Sequence, residues 1–286
     1  MNEITLNAYA KINLTLDILS RRDDGYHEIS SVMQSVSLCD KVTVKKADKL
    51  LIFCDREDVP CDERNIAHKV AMAFFEYTKI ISGAEISIKK AIPSQAGLGG
   101  GSADGAAVLV ALNSLYNANL SSGALSSIGA RVGADIPFCL KGSTLLAEGI
   151  GEMLSPLPKL PSCYIVIAKP NFGIDTKGAY RAFDEMKIKP DYATPDLVKA
   201  LSGKLSDIAP KVNNMFEECL RNPDIEAIKV KLLSFGALGC AMSGSGSAVF
   251  AIFEHQGRAN EACEKLKELG LFSCVCVPTT CGVEEV

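Results

Sequence analysis

The stretch Pro93-Ser94-Gln95-Ala96-Gly97-Leu98-Gly99-Gly100-Gly101-Ser102-Ala103-Asp104-Gly105 decides the architecture of this chain. Before it, residues 84–90 alternate apolar and polar side chains, as a half-buried strand does. After it, residues 106–112 form an apolar run that predicts a helix. A glycine-rich loop between a strand and a helix brings backbone N–H groups and the positive end of a helix dipole together. We therefore interpret it as an anion site, most often a phosphate site.

The glycine pattern differs from the two best-known phosphate loops. No lysine follows Gly101, as a Walker loop requires. A dinucleotide fingerprint needs an acidic residue about 20 residues further on, whereas the next one after Asp104 is Asp135, beyond a second predicted helix. The alternative interpretation is a flexible turn or a place where a helix packs tightly on a strand. Ser102 and the helix start favour contact with phosphate or metal.

Length and composition indicate a globular protein of one large domain or two of ordinary size. The chain has 286 residues, of which 48% are hydrophobic and 22% charged, and its net charge is -4. Without a basic run, a nucleic-acid partner is not expected. No apolar stretch is long enough to span a bilayer and no signal peptide is recognised, so we expect no membrane association and a cytoplasmic location.

The cysteine pattern predicts buried reduced thiols. There are 11 cysteines, an odd number, and most stand inside apolar runs. Cys54 and Cys61 lie near each other without a histidine at finger spacing, so no zinc site is expected.

Hydrophobic periodicity predicts a mixture of strands and helices. The predicted strands cover residues 4–19 (one or two strands), 29–44, 50–54, 84–90, 139–154 (two short strands), 164–168, 249–253 and 274–277. The predicted helices cover residues 66–75, 106–112, 121 to about 132, and about 175–186, 195–202, 206–220, 224–235 and 257–269. The proline-rich segment 154–161 marks a boundary, so we predict domains at 1–157 and 158–286.

Four other features of the sequence have either a functional or a structural interpretation. Lys11 and Asn13 share a face of the first strand, where a lysine either blocks an edge or points a cation at an anion. Asp135 stands before Pro137, which would stop any helix. It is either a structural residue, as a helix cap or turn former, or a fixed functional carboxylate. Tyr26-His27 stands at the mouth of a predicted hairpin and is either structural or functional. A second glycine turn at 242–248 is more typical of a tight turn than of a ligand site.

Together these features resemble the GHMP kinase superfamily, which includes galactokinase and the homoserine, mevalonate and phosphomevalonate kinases. The family motif Pro-x-x-x-Gly-Leu-Gly-Gly-Gly-Ser-Ala-Asp matches residues 93–104, and a further family motif matches residues 243–246. The segments 10–14, 24–28, 133–138 and 148–152 are similar to the branch that phosphorylates the diphosphocytidyl derivative of methylerythritol. The resemblance covers essentially the whole chain in order.

The resemblance implies an α+β fold of two lobes, one N-terminal and ribosomal-S5-like and one C-terminal and ferredoxin-like, with the active cleft between them. It implies ATP-dependent phosphorylation of a 2-hydroxyl group in the non-mevalonate pathway to isoprenoid precursors. The implied partner is a small cytidine diphosphate derivative, and we expect a monomer or weak homodimer.

The resemblance also implies catalytic and ATP-binding roles. Asp135 would take or orient the proton of the hydroxyl group, and Lys11 would stabilise that carboxylate and the charge on the transferred phosphoryl group. Residues 93–103 would bind the ATP phosphates through backbone N–H groups, with Ser102 approaching Mg²⁺. Asn65 and Ile66 would lie on the adenine side.

For the substrate, the implied residues read cytosine and hold the rest of the molecule. Tyr26 would stack on or hydrogen-bond the base, and His27 would bond its edge. A second aromatic residue would close over the base from the segment 175–180, which contributes Thr176 and Tyr180, with Phe183 as the alternative to Tyr180. Asn13 would contact the methylerythritol end or its phosphates.

Two other functions stay open. The first is another small-molecule kinase of the superfamily, of mevalonate or homoserine type, and the Tyr26-His27 turn argues against it. The second is a non-catalytic nucleotide-binding homologue, and the presence of both Lys11 and Asp135 argues against that.

Overall fold

Two β-sheets organise the part of the chain that the computed structural model describes, residues 2–186 and 191–286. The strands are β1 (Glu3–Asn13), β2 (Thr15–Arg21), β3 (His27–Ala47), β4 (Leu51–Cys54), β5 (Gly83–Lys89), β6 (Thr144–Glu148), β7 (Met153–Pro156), β8 (Tyr164–Lys169), β9 (Asn213–Asn214), β10 (Gly239–Met242), β11 (Val249–Phe253), β12 (Phe272–Cys276) and β13 (Val283–Glu285). The helices are α1 (Ile66–Thr78), α2 (Gly100–Leu115), α3 (Ser122–Ala130), α4 (Ile136–Lys141), α5 (Thr176–Glu185), α6 (Thr194–Ala200), α7 (Leu205–Ile208), α8 (Met215–Leu220), α9 (Pro223–Ser234) and α10 (Gln256–Glu268).

The first sheet is built around β3, a strand of 21 residues. It pairs antiparallel with β1, β2, β5 and β6, and its register with β1 shifts between Tyr9 and Ala10. Many of the buried residues of β1 and β3 are apolar, among them Ile12 and Val42. Their burial fixes which face of the sheet meets the helices.

The second sheet is smaller and has the order β10-β11-β8-β12, with every pair antiparallel. All five residues of β11 are buried, because neighbouring strands flank it and helices cover it. The α+β class expected from the sequence is therefore confirmed.

Helix α2 lies at the centre of the first lobe and is apolar nearly all round. It begins at Gly100, earlier than the periodicity predicted, so the second half of the glycine run is the first turn of the helix. A Cβ on Gly101 would lie 3.0 Å from the Ile66 side chain, and one on Gly105 would lie 3.1 Å from it. The glycines of this helix therefore allow α1 to pack closely against α2.

Most predicted elements are present, but two predictions are wrong and two further short strands were missed. Residues 139–154 are the end of α4 followed by β6 and β7, because Pro137 occupies the first turn of α4 and starts a helix where we expected it to stop one. The expected helix over 206–220 is α7, a 3₁₀ turn at Ala209–Lys211 that includes Pro210, β9 and α8. Strands β10 and β13 were missed, since each is short and offers little alternation.

The boundary between residues 157 and 158 stays a prediction. β9 pairs with β2 and β13 pairs with β1, so two strands from the second half of the chain belong to the first sheet. Among the described helices, none is long and apolar enough to cross a membrane.

A buried charge cluster fixes both ends of the glycine-rich loop. Lys90, just before the loop, donates to Asp40 of β3 and to Asp104 of α2, the latter at 2.7 Å. The other Asp40 oxygen accepts from the backbone N–H groups of Ala91 and Ile92, at 2.6 and 2.8 Å. Burial raises the pKa of Asp104 to about 7, against the opposing attraction of Lys90. The cluster ties the entrance of the loop to the helix that follows it.

Replacing Lys90 with methionine is expected to lower the free energy of unfolding by about 3–5 kcal/mol, because two buried carboxylates lose their cation. Urea denaturation followed by circular dichroism measures this change. The matched control is Lys89→Met, which removes the neighbouring, exposed lysine and should change stability by less than about 0.5 kcal/mol. Equal losses in the two variants would contradict a stabilising role for the cluster.

Candidate active site

A cavity of about 950 Å³ is lined by residues from both halves of the chain. At one end lie the glycine-rich loop and the second glycine turn, with Lys11 and Asp135 beside them. At the other end lie Tyr26, His27 and Tyr180. The cavity thus joins a polar, glycine-lined end to an aromatic end.

Lys11 is the buried cation of the polar end. Its residue is 4% exposed, although it belongs to an otherwise apolar strand. Its Nζ donates to Asn13 Oδ1 at 2.6 Å and lies 3.6 Å from Asp135 Oδ2. Since a buried ammonium group is stable only when paired, these two partners decide where it points.

Asp135 occupies the N-cap position of α4, but its side chain makes no capping hydrogen bond. The carboxylate instead faces Lys11, and its side chain is 31% exposed to the cavity. Asp135 therefore stands at the cap position without making the hydrogen bond of a cap. This geometry favours the second interpretation, a carboxylate that is available to a bound molecule.

The two glycine turns are in direct contact. A Cβ on Gly97, whose φ is +73°, would overlap the Ser243 carbonyl oxygen. Ser243 Oγ donates to the Gly97 carbonyl at 2.9 Å, and the Gly244 N–H donates to Asn13 Oδ1 at 3.0 Å. The backbone of the second glycine turn therefore contacts both the glycine-rich loop and Asn13, the residue that accepts from Lys11.

Two side chains hold the second turn from behind. Asn214 Nδ2 donates to the carbonyl oxygens of Met242 and Gly244, both at 2.7 Å, and Glu217 accepts from the Met242 N–H at 2.7 Å. Gly244 and Ser245 line the cavity. The turn is tight, as the sequence indicated, and it also forms part of the cavity wall.

At the aromatic end, His27 is enclosed on several sides. Its ring stacks on Tyr180, with centroids 4.6 Å apart and an interplanar angle of 16°, and meets the edge of Phe183 at 6.2 Å. Its Nε2 lies 2.7 Å from Asp184 Oδ1. Burial raises the pKa of Tyr180 to about 12, and the charge of Asp135 adds to the effect. Tyr26 is 61% exposed at the rim.

The structure brings ten of the predicted site residues to the cavity wall. They are Lys11, Asn13, Tyr26, His27, Gly97, Gly99, Ser102, Asp135, Thr176 and Tyr180. Thr176 Oγ1 lies 2.9 Å from Ser245 Oγ, which links α5 to the second glycine turn.

The remaining predicted residues lie outside the cavity wall. Ala96, Leu98 and Ala103 are buried beneath the loop. Asn65 caps α1 by accepting from the Ala67 N–H at 2.8 Å, and Ile66 packs against α2. The others are Pro93, Ser94, Gln95, Gly100 and Gly101, which lie along the loop and the first turn of α2. Roles of these residues toward ATP stay predictions.

Several cavity residues were missed by reasoning from the sequence. They are Arg21, Lys177, Arg181, Asp184 and Phe216. Positions 177, 180, 181 and 184 follow the helical spacing of one face, so the choice of Tyr180 could have indicated the other three. Phe216 offered no such signal, because α8 was not predicted as a separate helix.

Comparisons with known proteins give a consistent result. Residues 65–143 match the family described as GHMP kinases N terminal domain, and residues 201–270 match GHMP kinases C terminal. The chain is 43% identical over 275 residues to the 4-diphosphocytidyl-2-C-methyl-D-erythritol kinase of Thermoanaerobacter pseudethanolicus, covering 95% of each chain. It is 49% identical over 260 residues to the enzyme of the same name from Carboxydothermus hydrogenoformans, covering 89% of this chain and 90% of that one.

Solved structures are similar over the same length. A crystal structure of 4-(cytidine 5'-diphospho)-2C-methyl-D-erythritol kinase superposes with a TM-score of 0.82 at 33% identity, covering 96% of this chain and 98% of that one. A homoserine kinase from Cytophaga hutchinsonii superposes with a TM-score of 0.78 at 22% identity, covering 100% and 98%, and shares the fold.

Replacing Gly97 with alanine is expected to lower the free energy of unfolding by more than backbone strain alone would. The reason is that the new Cβ would push the two glycine turns apart. Gly270→Ala is the matched control, since Gly270 has a φ of +76° and nothing within 4 Å of an added Cβ. The control should cost about 1–2 kcal/mol of unfolding free energy. Urea denaturation of both variants gives the difference, and an equal loss would contradict a tight contact at Gly97.

Proposed function

The chain belongs to the GHMP kinase family and, within it, to the 4-diphosphocytidyl-2-C-methyl-D-erythritol kinases, and we propose how its residues carry out that reaction. The enzyme transfers the γ-phosphoryl group of ATP to the 2-hydroxyl group of the cytidyl substrate, in the non-mevalonate route to isoprenoid precursors. The observation that carries the proposal is the Lys11–Asp135 pair, which lies in one cavity between the glycine turns and the aromatic end.

The acid-base and electrostatic roles follow from this pair. Asp135 orients the substrate hydroxyl group and takes its proton, since a carboxylate facing the cavity is a proton acceptor within reach of a bound alcohol. Lys11 stabilises Asp135 in its ionised form and the charge that develops on the transferred phosphoryl group. Phosphoryl transfer depends chiefly on positioning and charge, which these two residues supply.

The glycine-rich loop is the proposed site of the ATP phosphates. Gly97 and Gly99 line the cavity with positive φ, and the loop leads into the N-terminus of α2, which has 16 residues. Exposed N–H groups at such a helix start attract phosphate oxygens. Asn65 and Ile66 are proposed to lie on the adenine side, because α1 packs against the first turn of α2.

Mg²⁺ is part of the proposal. Within residues 2–186 and 191–286, no group of three or more His, Cys, Asp or Glu side chains could hold a metal ion alone. This fits Mg²⁺, which proteins usually hold through one or two side chains together with substrate phosphates. The Ser102 hydroxyl lines the cavity at the start of α2 and would contact the ion. When bound, the ion supplies neutralisation of phosphate charge.

The aromatic end is the proposed cytidine site. Tyr26 and Tyr180 offer ring faces for the base, and His27 offers a ring edge. Asn13 and Thr176 lie toward the glycine turns, where the methylerythritol end and the phosphates of the substrate would meet them. A monomer or weak homodimer and a cytoplasmic location stay predictions.

The reaction is tested by measuring ADP release with ATP, Mg²⁺ and each candidate alcohol. Turnover is expected with 4-diphosphocytidyl-2-C-methyl-D-erythritol and not with mevalonate or homoserine. Turnover with mevalonate or homoserine alone would overturn the assignment, and ATP binding without any turnover would favour a non-catalytic homologue.

Asp135→Asn should reduce kcat by about 100-fold or more, because the amide keeps the shape of the side chain but cannot take the proton. ATP affinity, measured by calorimetry, should stay close to that of the unchanged chain. Asp48→Asn, an exposed substitution on the surface, is the control and should leave both quantities unchanged. Near-normal kcat for Asp135→Asn would remove this residue from the catalytic role.

Tyr26→Ala should raise the KM for the cytidyl substrate by about 5- to 150-fold, since stacking of a base on an aromatic ring contributes about 1–3 kcal/mol. The KM for ATP should not change. Tyr77→Ala is the control, because Tyr77 is a comparably exposed tyrosine on α1 that does not line the cavity. A similar rise in KM for both substrates would argue against a cytidine-specific contact.

A further inference from the structure

Asp184 is a carboxylate at the aromatic end of the cavity. It lies on α5, one helical turn after Tyr180, and its side chain is 30% exposed. Its Oδ1 is 2.7 Å from Nε2 of His27, whose side chain is 4% exposed. Its other oxygen lies 3.5 Å from Arg21, whose side chain is 64% exposed.

The His27 ring has little freedom to turn. Tyr180 covers one face in a stacked arrangement, Phe183 meets the ring at an interplanar angle of 89°, and Asp184 holds Nε2. These three residues all come from α5, so a single helix sets both the plane and the in-plane orientation of the imidazole. A ring held in this way presents its second nitrogen in one direction.

The chemistry of the contact decides which nitrogen carries the proton. An ionised carboxylate only accepts hydrogen bonds, so Nε2 of His27 must donate. In a neutral imidazole with its proton on Nε2, Nδ1 is an acceptor. Within the described part of the chain, Nδ1 has no hydrogen-bond partner and is not among the fully enclosed polar atoms that lack one. Since His27 lines the cavity, this acceptor is available to a bound molecule.

We propose that Asp184 is a positioning residue that holds His27 as a hydrogen-bond acceptor and thereby makes the base site selective for cytosine over uracil. The inference rests on the proposed function. Cytosine carries an exocyclic amino group that donates, whereas uracil carries an oxygen at the same place that accepts. With uracil, Nδ1 of His27 and the exocyclic oxygen of the base are both acceptors, so they face each other out of water without a hydrogen bond. This loss weakens the binding of uracil relative to cytosine.

The first test measures the tautomer directly and needs no turnover. The chain has three histidines, His27, His68 and His255, so a nitrogen-15 spectrum of the side chains is readily assigned with His68→Gln and His255→Gln variants. At about pH 8.5, where free imidazole is neutral, His27 should carry its proton on Nε2. A proton on Nδ1, or an even mixture of tautomers, would overturn the proposal.

The second test measures selectivity. In Asp184→Ala, Nε2 loses its hydrogen-bond acceptor, so the proton can move to Nδ1 and His27 becomes able to donate to uracil. The ratio of kcat/KM for the cytidyl substrate to that for its uridyl analogue should fall by about 10- to 100-fold. Asp196→Ala, at an exposed position of α6, should leave the ratio unchanged. A purely structural ion pair with Arg21 would lower both kcat/KM values together and keep the ratio.

The outcomes separate this inference from the proposed function. If the unchanged chain turns over neither the cytidyl substrate nor its uridyl analogue, the proposed function fails, and the inference that rests on it fails too. If it turns over the cytidyl substrate and Asp184→Ala keeps the original ratio, only the role of Asp184 is wrong. Circular dichroism of the variant establishes whether it is folded. If the variant does not fold, the tautomer of His27 in the unchanged chain alone tests the role of Asp184.

Discussion

The buried ammonium group of Lys11 is the interaction on which the arrangement of the site depends. It stands in β1 with 4% exposure and is shared between Asn13 and Asp135. Asn13 in turn accepts from the N–H of Gly244 in the second glycine turn. A buried cation requires such partners, so the strand, the start of α4 and the turn are held at one point. The same cation can stabilise the negative charge of a transferred phosphoryl group.

The glycine turns are supported from two sides by buried polar groups. The Lys90 cluster connects the entrance of the loop to α2, and Asn214 with Glu217 holds the second turn from α8 and the strand before it. Neither support lines the cavity near Lys11. The backbone that would meet the phosphates is thus held by side chains that do not compete for the ligand, which suits a site that must bind and release a nucleotide.

The residues that could be identified from the sequence are those whose chemistry is local. The glycine run, Lys11 inside an apolar strand and Asp135 before a proline each stand out within a few positions, and all three reach the cavity. Asp184 and Arg181 did not stand out, because charged residues on an amphipathic helix usually face solvent. The start of α4 was misjudged because Pro137 can end a helix or begin one, and only the packing of α4 against α2 decides between them.

The α+β class, the principal strands and helices, and the family could be predicted from the sequence, since these depend on periodicity and on short motifs that are contiguous in the chain. The return of β9 and β13 to the first sheet, the contact between the two glycine turns, and the orientation that α5 gives to His27 are set by tertiary packing. These are contacts between residues far apart in the chain; Tyr9 and Glu284, for example, are 275 positions apart. Such contacts depend on how whole elements pack, which no local pattern of side chains specifies.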